Sequence, residues 1–127
     1  MKEYKGKVLY LPMKKKWFDM ILSGEKKEEY RLMTPHWMSR VCKICGFNGL
    51  DVHRYIFAHG MYHGTVEMKV PFRICFVNGY AKTSPRFFAT VKTYEMRSSS
   101  RHPEWGEDAY RGQPHFAFCI ESIERTN

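Results

Sequence analysis

The sequence predicts an α+β protein, with one curved or closed sheet of about five mostly antiparallel strands and a single short helix near the start. Three observations predict it. Several short runs alternate apolar with polar residues, or are rich in aromatic and β-branched residues, as strands are. One early run has helical spacing instead. The chain has 127 residues and is 43% hydrophobic, enough for one domain with its own core. No internal repeat or linker-like stretch divides it, so residues 1–127 read as one domain.

Residues 7–11, Lys-Val-Leu-Tyr-Leu, read as the first strand, ended by Pro12. Residues 14–23 read as the helix. Trp17, Met20 and Ile21 fall at i, i+3 and i+4, and Phe18 and Leu22 widen that apolar face. This spacing favours the core for Trp17, with the stacking of a base as its alternative role. Gly24 stands where a glycine ends helices. Lys14, Lys15 and Lys16 crowd the first turn, where the helix dipole disfavours cations. They either face water or, as Lys14 and Lys16 suggest, mark an anion site.

Residues 26–32 read as an extended segment of unusual charge. Strict alternation puts Lys27, Glu29 and Arg31 on one face and Lys26, Glu28 and Tyr30 on the other. Such a strand lies at a solvated edge or lines a polar cleft. Residues 33–68 read as irregular, with a helical turn or two around 37–41. Residues 72–77 alternate as a strand, and Asn78-Gly79 supplies a turn. Residues 87–96 form a longer strand. Residues 97–114 form a polar loop, long enough to expect a function of it. Residues 116–120 close the fold, with Phe116, Phe118 and Ile120 facing inward.

The segment 42–68 carries its own signal. Cys42 and Cys45 form a C-x-x-C-G with Gly46, and His53, His59 and His63 follow. Cys42, Cys45, His53 and His59 together offer the donors of a tetrahedral Cys2His2 zinc site. The alternative is two reduced thiols and surface histidines in an irregular insertion, because no second C-x-x-C follows. A structural zinc is therefore one expectation, and no other cofactor is expected. Cys75 and Cys119 sit on strand patterns and read as small buried hydrophobes.

The net charge is +8, which favours a polyanionic partner. Six lysines against one glutamate lie in residues 1–16, and five cations against one acid in residues 81–103. Both blocks are interleaved with apolar residues, so they belong to folded elements. The bland alternative is a solvated face. No apolar run reaches the ~18 residues of a membrane span, so no membrane partner is expected. No secretion signal is recognised, and the four cysteines look reduced or metal-bound, which together predict a cytoplasmic location. Nothing in the sequence indicates an oligomeric state.

The run from Gly24 to Arg31 resembles the ASCH domain family, whose signature is G-x-K-x-x-E-x-R. Gly24, Lys26, Glu29 and Arg31 fill all four places. Asn78-Gly79-Tyr80 resembles a second block of bacterial and phage members, and Pro103-Glu104-Trp105-Gly106 with the 116–120 strand resembles a third. The resemblance implies a PUA-like small β-barrel of about five to six strands, with a cleft beside the first helix. It implies RNA or a nucleotide-like ligand as partner. Segment 42–68 matches nothing shared.

The chemistry of the motif residues fits such a cleft. Lys26 is a point charge suited to a phosphate, or to base catalysis if desolvated. Arg31 holds phosphates or carboxylates bidentately and shares a strand face with Glu29. Lys26 has the opposite parity, so it must lie in the turn after Gly24, or a bulge must follow it. A structural ion pair is the alternative for this trio. Lys14, Lys16, Lys26, Glu29, Arg31, Asn78, Tyr80 and Trp105 are the candidate ligand-binding residues, with Tyr80 and Trp105 placed to stack a base. Lys26 and Glu29 are the candidate catalytic pair if the cleft is ribonuclease-like. An amidohydrolase of modified nucleosides is less favoured, because Glu29 stands where such relatives carry a threonine nucleophile. A protein-binding regulator acting through residues 97–114 or 42–68 is a further alternative.

Overall fold

A computed structural model describes residues 8–45, 64–98, 102–106 and 112–124, with the side chains of Cys45 and Lys69 left aside. The elements are β1 (Val8–Met13), α1 (Lys15–Leu22), β2 (Glu28–Leu32), α2 (Pro35–Cys45), β3 (Gly64–Asn78), β4 (Arg86–Arg97), a 3-10 turn (Pro103–Trp105) and β5 (His115–Glu124). One five-stranded sheet runs in the order β1-β3-β4-β5-β2. β1 is parallel to β3, and the other three pairings are antiparallel.

β1 buries Leu9, Leu11 and Met13 and leaves Tyr10 half exposed, the period-two pattern of a strand with one face inward. Pro12 does not end it, contrary to the expectation. Pro12 pairs with Val77 and Met13 with Asn78. Proline is tolerated there because β1 is an edge strand whose outer side needs no N–H. α1 buries Phe18 and Ile21 against the sheet, where Phe18 packs edge-on to Phe87 at 4.9 Å. Gly24 adopts φ +88°, a left-handed conformation that glycine reaches without a Cβ clash. Its N–H donates to the Ile21 carbonyl at 3.0 Å, and the Lys26 N–H donates to that of Met20 at 2.9 Å.

Both described ends of the segment expected to be irregular, 33–68, are regular. α2 runs from Pro35 to Cys45, so the expected insertion at 42–68 begins inside a helix. Thr34 starts it. Its Oγ1 accepts from the Trp37 N–H at 3.3 Å and its carbonyl from the Met38 N–H at 2.8 Å, with Pro35 in the first turn where a missing donor costs nothing. Met38, Val41 and Cys42 form its buried face. β3 starts at Gly64 rather than Phe72. Its first residues, Gly64 to Glu67, pair with Met96 to Thr93 before the register shifts between Glu67 and Phe72.

Leu11, Ile74, Phe76, Val91 and Phe118 are fully buried at the centre of the core. Phe116 and Phe118 face inward as expected, whereas Ile120 is half buried. The opposite face of β5 is buried as well, through His115 and Ala117. They meet a polar cluster: Arg97 holds both oxygens of Glu28 (2.9 and 2.7 Å) and one of Glu95 (2.7 Å), and the Tyr30 hydroxyl donates to Glu28 at 2.8 Å. The sheet is curled into a half-barrel. β1 and β2 stand at its two ends, yet Arg31 Nη2 on β2 donates to the Pro12 carbonyl on β1 at 2.8 Å. One side chain spans the open seam.

Candidate functional site

A cavity of about 600 Å³ lies in that seam. β1 contributes Tyr10 and Met13, and α1 contributes Trp17 just after Lys14. β2 contributes Glu29 and Arg31, α2 contributes His36, Trp37 and Arg40, and Tyr80 and Trp105 stand at the loops. The edges of a sheet that does not close are natural places for a cleft, because backbone and side chains there are not covered by a neighbouring strand.

Glu29 is nearly buried and fully engaged. Its Oε1 accepts from its neighbour's backbone, the Tyr30 N–H, at 3.0 Å, and lies 3.3 Å from the Lys26 ammonium. Its Oε2 accepts from Arg31 Nη1 at 2.8 Å. The same Nη1 also donates to the Tyr30 carbonyl at 2.9 Å. With the Pro12 contact, three of the five Arg31 N–H groups are taken, and the remaining two have no partner among the described residues. The guanidinium lies 5.3 Å from the centre of the Trp37 ring. Arg31 is thus a fixed fork with donors to spare, set against an aromatic face.

Lys26 behaves differently from a ligand-gripping lysine. It precedes β2 and sits in the turn after Gly24, which meets the geometric demand that the motif's parity imposes. Its side chain has no exposure and is not among the groups lining the cavity. Its ammonium donates to the Trp105 carbonyl, pairs with Glu29, and lies 4.6 Å from the Tyr30 ring centre and 5.3 Å from that of Trp17. Burial holds its pKa below the ordinary lysine value, against the opposing charge and hydrogen bond of Glu29. Lys26 therefore ties the 3-10 turn to β2, holding Trp105 and Glu29, which do line the cleft.

The other candidates divide. Lys14 lines the cavity and is exposed. Lys16 is not among the lining residues, and its ammonium lies over the Trp17 ring at 4.5 Å. Asn78 is not among them either, and its N–H donates to the Pro85 carbonyl at 2.9 Å, closing the 79–85 loop. Tyr80 is 90% exposed on the rim. Trp105 stacks on His102 with centroids 4.0 Å apart. Trp17, expected in the core with base stacking as the alternative, packs against the core and also lines the cavity, because it lies in the first turn of α1 beside the seam.

Tyr10, His36, Trp37 and Arg40 were not singled out by the sequence reading. The signal for three of them was present in Thr34-Pro35, an N-cap followed by a first-turn proline, ahead of Met38, Val41 and Cys42 at helical spacing.

The zinc expectation falls largely outside the described residues. His53, His59 and the Cys45 side chain lie outside them, and Cys42 is buried against the core from α2. Among the described residues, Glu28, Glu95 and Cys119 bring donor atoms within 4.8 Å of one another, enough to suggest a metal. Arg97 already bridges the two carboxylates, and a cation in that place opposes a second one. No helix among the described residues is long and apolar enough to cross a membrane.

Compared with family models, with curated proteins and with solved structures, the chain has no match in any of the three.

Proposed function

We propose that this chain is an ASCH-like, PUA-like domain that binds RNA or a nucleotide in the seam between β1 and β2. The observation that carries the reading is one cavity where Trp17, Trp37 and Trp105 share a wall with Lys14, Arg31 and Arg40. Rings stack on bases, and each stack contributes ~1–3 kcal/mol. Cations hold phosphates, and the Arg31 fork is fixed before a ligand arrives, so little ordering entropy is lost on binding. Of the G-x-K-x-x-E-x-R residues, Glu29 and Arg31 line this cavity, and Lys26 pairs with Glu29.

Binding is favoured over hydrolysis by the state of Lys26. Its ammonium is directed at the Trp105 carbonyl and Glu29, and its side chain is sealed from solvent. A general acid or base must reach the proton it moves. Lys26 supports the site by holding Trp105 and Glu29.

Purified protein incubated with labelled single-stranded RNA, scored for both retention and cleavage over a salt series, tests the reading. The expected result is retention without cleavage, with log K falling linearly against log salt. Trp37→Ala should weaken binding about tenfold, the loss of roughly one stacked base. No retention even at low salt would remove the proposal, and cleavage would move the site to the hydrolase class.

A further inference from the structure

α2 carries His36, Arg40 and Lys43 at i, i+4 and i+7, so the three share one face of the helix. That face leads out of the aromatic cleft. His36 and Arg40 line the first cavity, and the same two residues line a second cavity of about 610 Å³ that extends to Ser39, Lys43 and the beginning of β1. Arg40 Nε donates to His36 Nε2 at 3.0 Å, which holds the guanidinium where the two cavities join. From His36 to Lys43 the helix rises about 10 Å, farther than a single phosphate group extends.

Two hollows that share His36 and Arg40, with the cations Arg40 and Lys43 a turn apart on the connecting helix, form a path. We propose that the occupant is a single-stranded polynucleotide and not a lone nucleotide. One base lies among the rings of the first cavity, the backbone passes over Arg40, and Lys43 takes the following phosphate in the second cavity. This rests on the nucleic-acid reading above. A duplex does not fit, since its bases are stacked away from a pocket of this kind, whereas an unpaired strand can turn one base inward. An acidic peptide would satisfy the cations but offer no planar group to the three tryptophans.

The test titrates wild-type protein and Lys43→Gln with a random-sequence ten-nucleotide RNA, the four ribonucleoside 5′-monophosphates and a polyglutamate peptide. Circular dichroism checks that the variant is folded. The RNA is expected to bind at least tenfold tighter than any monophosphate. Lys43→Gln should weaken RNA binding about fivefold and reduce the salt slope by about 0.7, one single-strand phosphate contact, while monophosphate affinity stays at the wild-type level. A variant that binds the RNA with unchanged affinity and slope overturns the path and leaves a mononucleotide site intact. Equal weakening of RNA and monophosphate in the variant also overturns it, because the second cavity would then not be a separate subsite. Polyglutamate binding as tightly as RNA overturns it in favour of an acidic partner. If neither RNA nor monophosphate binds wild-type protein, the nucleic-acid reading falls too.

Discussion

Lys26 keeps its charge entirely inside the protein. A buried ammonium is tolerable only when its partners offset the loss of water, and here they are Glu29, the Trp105 carbonyl and two aromatic faces. Removing one member of such a set leaves the other unpaired, which costs more than the pair itself contributes. Lys26→Met should therefore lower unfolding free energy by about 3 kcal/mol, and Glu29→Gln by a similar amount, measured by urea denaturation. The double variant should be less unstable than the two losses added together, because neither charge is then stranded. Simple additivity would mean that the two groups act independently. The trio was visible in the sequence as a motif, and its parity required Lys26 to leave the strand. What the sequence left open was which of the three meets a ligand, since that depends on burial that no local pattern records.

The second charged network belongs to the elements β2, β4 and β5. Burial pushes the Glu28 carboxyl up, but the Arg97 and Tyr30 hydrogen bonds outweigh it and hold the group below its ordinary value of 4.5. Burial also keeps His115 below its ordinary 6.5, against the hydrogen bond to the Gln113 carbonyl. Both signs act in the same direction. In each case the unfolded chain binds the proton more readily, so stability falls as pH drops. The His115 contribution begins to fade below about pH 6.5 and the Glu28 contribution below about pH 4.5. Thermal unfolding followed from pH 8 to pH 3 should show a declining midpoint, with a shallower acid limb in Glu28→Gln. An identical acid limb in the variant would place the acid sensitivity elsewhere. The strands of this network were legible as extended runs, but the burial of both faces of β5 was not. α2 was legible only as a turn or two around 37–41, because its last turn carries the Cys-x-x-Cys, whose spacing also suits a metal, while Thr34-Pro35 marks the helix start.

At the scale of the molecule, the sheet is curled but left open, and the site occupies the opening. The α+β class and the mostly antiparallel strands follow from periodicity. The seam does not, because Arg31 reaches Pro12 only through the accumulated curl of five strands. The curl also makes the site depend on distant pairings. Val8 on β1 finds Arg73 about 65 residues later, and Glu28 on β2 finds Cys119 about 90 residues later. Both walls of the cleft therefore wait for the far half of the chain. Closing such long loops is slow compared with forming a helix. On refolding, helical circular dichroism should recover before the tryptophan fluorescence of the assembled cleft. A chain emerging from the ribosome exposes β1 and β2 long before β3 and β5 arrive to pair with them, β2 waiting the longer, so for the seconds that translation of the remainder takes, roughly 5–20 residues per second, the newborn protein has only half a cleft.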